Sequence, residues 1–235
     1  MTGHLYPFLR PGATTDEELT RSTVAKATES LHLRLRVLND LGPALTACAD
    51  ALATAFRNGG TLFAFGNGGS STDAQSVAHL FSTGDPGGAS NPGNPGGTSN
   101  TADKGGTGDS GGAQPALPAL SLTGDAALLT ALANDVDFDV VFARQLAALG
   151  RPGDIAVALS TSGGSANVLR GLEQARRTGM VTVGFAGSGG GRMAEENLAD
   201  HLFVIPSSSV HRIQEAQTTA YHVLWQLTQQ ALDQR

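Results

Sequence analysis

The segment TLFAFGNGGSSTD, Thr61 to Asp73, decides the fold. Its first six residues are a short apolar run of the kind a strand covered on both faces shows. The run ends in a turn of small residues, Asn67 to Ser71, and a helix is expected from about Thr72. The same grammar returns downstream. There DIAVAL (Asp154 to Leu159) runs into STSGGS (Ser160 to Ser165) and then into a helix reaching Thr178. Further apolar runs at Ala116 to Leu122, Met180 to Phe185 and His201 to Ile205 read as strands. Between and after them, Asp125 to Ala133, Asp137 to Leu149 and about His211 to Leu232 read as helices. Strands that alternate with helices predict a parallel sheet with right-handed crossovers and helices on both faces. The expected fold is therefore α/β, a doubly wound parallel sheet closed by a long C-terminal helix.

Two helices are expected in front of this unit, within residues 12–58. The first runs from Asp16 to Asn39. Its segment LHLRLRVL (Leu31 to Leu38) alternates with a period of two, but its flanks are helical. Leu41-Gly42-Pro43 breaks the chain, because proline suits a first helical turn and disfavours helix just before it. A second helix then runs from about Pro43 to Arg57.

Glycine is the compositional anomaly, at 31 of 235 residues. Its excess sits in Gly84 to Gln114, a 31-residue stretch with 11 glycines and no Leu, Ile, Val, Met or aromatic residue. Such a stretch has nothing to bury against the entropy of ordering its backbone. It is expected to be a disordered insertion (84–114) within one domain spanning 1–235, since neither flank completes a sheet alone.

Composition excludes several classes. The net charge is −6 with no basic run, which argues against direct nucleic-acid binding. No apolar run approaches the roughly 18 residues of a membrane helix. No secretory signal is visible at the start, and the lone Cys48, set in a helical pattern, excludes a disulfide framework. A cytoplasmic protein is the expectation.

The chemistry is expected at the two small-residue turns. Both follow the carboxyl ends of strands, where open α/β sheets bind ligands. Helix N-termini there offer unpaired N–H groups and partial positive charge, which suits a phosphate. Asn67, Gly68, Gly69 and Ser70 form one candidate cradle. Ser160, Thr161, Ser162 and Ser165 form the other, with four hydroxyls in six residues. Neither matches the dinucleotide or nucleotide glycine loops, so a small phosphorylated ligand is expected.

GNGGSSTDAQ (Gly66 to Gln75), ANDVDF (Ala133 to Phe138), PGD…ALSTSGGSANVLRGLEQARRTGM (Pro152 to Met180) and RIQEAQTTAYH (Arg212 to His222) carry a resemblance. In that order they resemble the sugar isomerase (SIS) domains of phosphoheptose isomerase type, which act on sedoheptulose 7-phosphate. The resemblance implies a flavodoxin-like three-layer sandwich and a homotetramer. It implies that Ser160, Thr161, Ser162 and Ser165 hold the sugar phosphate, and that Asn67, Gly68 and Asp135 contact the rest of the sugar. The implied reaction moves a proton between C1 and C2 through an enediolate, which needs an acid and a base near those carbons; the residues of this chain that could serve are His222 with Glu215 or His79.

Many members also bind zinc, through a His and a Glu after the glycine loop and a Gln and a His on the last helix. Gln214 and His222 are present here at the family spacing. Ser76 stands where the ligand His is expected, and Leu80 where the Glu is; His79 lies beside it. Little or no zinc is therefore expected. With those two groups lost, two functions are consistent with the sequence: an isomerase, which the intact phosphate loop favours, or an inactive sugar-phosphate sensor or assembly partner.

Overall fold

The computed structural model describes residues 16–84 and 116–234. Five strands form one parallel sheet in the order β2-β1-β3-β4-β5. They are β1 (Leu62–Gly66), β2 (Ala119–Ser121), β3 (Ile155–Ser160), β4 (Val181–Gly187) and β5 (His201–Ile205). Alternate residues of each strand feed two separate cores. Leu62, Ala64, Val157, Leu159, Val183 and Phe185 face one side, and Phe63, Phe65, Ala156, Ala158 and Ala186 the other. Every residue of β1 and of β3 is buried, so the strands read as unbroken apolar runs rather than as alternating ones.

Helices α1 (Asp16–Arg57), α2 (Gly69–Thr83) and α7 (Val210–Asp233) cover the first face. The second carries α3 (Ala126–Asp135), a 3-10 turn (Phe138–Val140), α4 (Val141–Leu149), α5 (Ala166–Thr178) and the short α6 (Gly191–Glu195). The doubly wound three-layer architecture is as the sequence predicts. Cys48 is buried in α1, and burial pushes its thiol pKa up.

The N-terminal region corrects one expectation. Residues 16–57 are a single 42-residue helix with Pro43 inside it, not two helices broken at Gly42. Proline at 43 removes the hydrogen bond to the carbonyl four residues earlier, at Asn39. Both Asn39 and Pro43 lie on the exposed side, so water can satisfy that carbonyl. The opposite side is continuous packing: Leu33, Val37, Leu45, Cys48, Leu52 and Phe56 are all buried. Local chain-breaking chemistry loses to that stripe. Residues 12–15 and all of the glycine-rich insertion after Gly84 lie outside the described residues. Among the described residues no helix is long and apolar enough to cross a membrane.

Candidate active site

Strand order places the site. From β1 the chain crosses to β2 on one side, then returns to β3 on the other, so β1 and β3 flank the topological switch point. The turns leaving these two strands therefore open onto one crevice. They are the two small-residue turns of the sequence.

The turn after β3 presents hydroxyls to that crevice. Ser160 Oγ lies 3.2 Å from Ser165 Oγ and 3.5 Å from Ser162 Oγ, and Gly164 N–H donates to Ser162 Oγ at 3.2 Å. Ser160 is buried, Thr161 and Ser165 are half-buried, and Ser162 is exposed. Ser165 is the N-cap of α5 but makes no capping bond with its side chain, leaving its hydroxyl for a ligand. A phosphate set here would meet three hydroxyls and the positive end of a 13-residue helix.

The turn after β1 is tighter. Gly68, at φ 55° and ψ −122°, caps α2 in a backbone conformation that only glycine adopts without strain. Ser70 N–H and Ser71 N–H return to the carbonyls of Asn67 and Gly68 at 3.0 and 2.9 Å, and Ser70 is buried. Gly69 is where α7 arrives. A Cβ added there would lie 2.1 Å from Gln214 Nε2, so Gln214 rests directly on this turn.

Gln214 also meets a residue that the sequence reading did not single out. Asp73, in the first turns of α2, has one buried carboxylate oxygen without a partner. Burial raises its pKa from 3.8 to about 6, against a hydrogen bond from Gln214 that lowers it. Tyr221 hydrogen-bonds with Thr218 and Ser76 beside the same carboxylate, and burial raises its own pKa. Its ring stacks on the exposed His222, with centroids 5.2 Å apart. Asp73, Ser76, Gln214, Tyr221 and His222 thus form one chain of contacts between α2 and α7. A carboxyl close to a glycine turn in sequence carries no signal of this, because its partners stand some 140 residues away.

Other expected residues go elsewhere. Glu215 faces α1, where Ser30 donates to it and Arg212 pairs with it at 2.7 Å. Those three residues line a groove of about 490 Å³ between α1 and α7 that also contains Lys26 and Arg34. Asp135 ends α3, exposed, and accepts from Asn134 at 2.8 Å. His79 points outward from α2.

The zinc set named for the family does not fit what stands here. Leu80 is 8% exposed and packed into the core, Ser76 is engaged by Tyr221, and Gln214 by Asp73. Two of four positions offer no nitrogen or carboxylate ligand of the kind zinc takes. Among the described residues no cluster of three His, Cys, Asp or Glu side chains is placed to hold a metal.

Residues 106–187 match the SIS domain family. The phosphoheptose isomerase of Desulfovibrio desulfuricans is 43% identical over 204 residues, covering 87% of this chain and 84% of that protein. That of Roseiflexus sp. is 35% identical, covering 92% and 96%. The structure of a phosphoheptose isomerase from Francisella tularensis superposes with a TM-score of 0.73 at 29% identity, over 92% of this chain and 100% of that one. Similarity at this level, over nearly the whole length, means that the chain belongs to the phosphoheptose isomerase family of SIS-domain proteins.

Proposed function

We propose that this protein is an aldose–ketose isomerase of sedoheptulose 7-phosphate or a closely similar sugar phosphate. The carrying observation is the serine cluster of Ser160, Ser162 and Ser165 at the α5 N-terminus, facing the β1 turn across the switch point. Hydroxyls and helix N–H groups suit a phosphate that must be released again, because they add no formal charge. Thr161 belongs to the same cradle. Asn67, Gly68, Gly69, Ser70 and Gln214 would face the sugar carbons. Asp135, exposed at the end of α3, would add a further contact to the sugar.

The chemistry needs a group to take the C1 proton and one to return a proton at C2. His222 suits it, since imidazole exchanges protons near neutral pH. For the carboxyl partner we assign Asp73 rather than Glu215, because Glu215 is held by Ser30 and Arg212 on the α1 side. No step is routed through a metal. Protein purified without chelator should carry well under one zinc per chain, and EDTA should leave turnover unchanged. One zinc per chain, or activity lost to EDTA and restored by zinc, would reverse that assignment.

A homotetramer is part of the same reading. Val24, Leu31 and Leu35 lie along one side of α1 at spacings of seven and four, each more than half exposed. The stripe suits a second copy of the chain. Sedimentation should give the mass of four chains, and Leu31→Glu with Leu35→Glu a smaller species. A wild-type protein sedimenting as one chain would end the idea.

Proton NMR of sedoheptulose 7-phosphate with the protein in heavy water tests the activity itself. Enediolate formation exchanges the C1 proton even where net conversion is small. Deuterium should appear at C1; a sugar phosphate that binds without exchange would overturn the isomerase reading.

A further inference from the structure

We infer that Asn167 is a positioning residue, whose amide clasps Asn67 and so fixes the distance between the phosphate cradle and the sugar-facing turn. The inference rests on the sugar-phosphate reading of the site. Asn67 Nδ2 donates to Asn167 Oδ1 at 2.7 Å, and Asn167 Nδ2 donates back to Asn67 Oδ1 at 2.8 Å. The pair joins residues one hundred apart in sequence. Asn167 is 2% exposed; it is the second residue of α5, and Asn67 is the first beyond β1.

Amide oxygen and nitrogen are assigned from the bonds around them, and here those bonds leave one arrangement. Val168 N–H donates to Asn167 Oδ1 at 3.0 Å, so that atom must be the oxygen. Its nitrogen then faces Asn67, whose oxygen must face it in turn. Each amide gives one N–H and its oxygen to the other, so Asn67 meets the sugar with a side chain already held in place.

The clasp sits where the backbone stops doing this job. The β1–β3 ladder ends at the pairing of Gly66 with Leu159. Beyond it the chains part, α2 to one face of the sheet and α5 to the other. Among the described residues, the two amide bonds are the side-chain hydrogen bonds that tie the two turns together. A seven-carbon sugar phosphate is held at one end by Ser160, Ser162 and Ser165, and reacts at the other. The separation of the turns therefore decides whether C1 and C2 reach the reacting groups. A phosphate ion, which meets only one turn, is indifferent to it.

The test is a double-mutant cycle of neutral substitutions, Asn67→Ala, Asn167→Ala and both together. It is read by calorimetry with inorganic phosphate, by calorimetry with sedoheptulose 7-phosphate, and by turnover. Each single variant should keep phosphate affinity within about twofold, lose about tenfold in sugar-phosphate affinity, and lose about 100-fold in kcat. The double variant should be no worse than either single, because one clasp is broken only once. Losses that add in the double, or phosphate affinity that falls in step with sugar-phosphate affinity, would overturn the inference. Should Asn167→Ala fail to fold, Asn67→Ala breaks the same pair from the half-exposed side and carries the same expectations. A wild-type protein without turnover would defeat the isomerase reading alone; the two affinity measurements would still decide the clasp.

Discussion

Replacing His222 with alanine should lower turnover of sedoheptulose 7-phosphate by about 10²–10⁴-fold, the usual contribution of a positioned acid or base. The sugar phosphate should nevertheless still raise the melting temperature of the variant. The two halves of this expectation come from different parts of the fold. On the proposed reading, phosphate recognition belongs to the β3–α5 turn, where Ser160 Oγ, Ser162 Oγ and Ser165 Oγ cluster. Proton transfer is assigned by the same proposal to the α2–α7 contact. There His222 stacks on Tyr221, and Tyr221 in turn stands against Ser76 and Asp73. His222 is exposed, so its removal leaves no cavity in the core. A loss of activity therefore cannot be blamed on unfolding if the melting temperature holds. Turnover within a factor of two of wild type would remove His222 from the reaction.

Much of this was legible in the chain. Each of the two ligand turns announces itself as a run of four or more apolar residues stopped by glycine and serine, and both turns landed at the switch point. That worked because a strand buried on both faces leaves an unbroken apolar signature, and because a crossover places its turn at the strand's carboxyl end. The misjudged features are those where a distant partner overrides a local rule. Pro43 reads as a break, but α1 continues through it, with buried side chains from Leu33 to Phe56 packed on the core side. β2 is expected from Ala116 to Leu122 and spans only Ala119–Ser121, because an edge strand pairs on one side alone, with Leu62 to Ala64.

Side-chain roles were the least legible. Glu215 and Gln214 are neighbours in sequence, yet a helix turns them about 100° apart. One meets Gly69 and the other meets Ser30. Only the placement of α1 and α2 around α7 decides which is which. Asp73 and Asn167 carry no local mark at all, since burial and pairing across the sheet give them their character. The departures at Ser76 and Leu80 were visible in sequence. Their consequence, a hydroxyl bound to Tyr221 and a leucine in the core, was not.

Changing Gly163 to alanine should cost more than any other single methyl group in the phosphate turn. Gly163 sits at φ +63°, where a side chain costs about 1–2 kcal/mol. Space is the larger obstacle. A Cβ there would lie 1.9 Å from the carbonyl oxygen of Gly190 and 2.6 Å from its carbon, both backbone atoms that no rotamer change can clear. The neighbouring turn is equally committed: a Cβ on Gly191 would lie 2.4 Å from the carbonyl of Ser162, and Met193 N–H donates to the carbonyl of Gly163 at 2.9 Å. The β3–α5 and β4–α6 turns are thus interlocked through bare backbone. Alanine at 163 must push them apart, and Ser162 and Ser165, on either side of it, move with the displaced chain. A loss of at least about 3 kcal/mol would lower Tm by about 6–12 °C in a chain of this size. Inorganic phosphate should bind about 100-fold more weakly, since the hydroxyls no longer converge. Gly124→Ala supplies the comparison, because nothing lies within 4 Å of its added Cβ and its φ is not positive. That variant should melt at or slightly above the wild-type temperature, through the smaller entropy of its unfolded chain. If Gly163→Ala melted and bound phosphate like Gly124→Ala, the serine cluster would not depend on this contact, and the phosphate cradle would have to be sought at the β1–α2 turn instead.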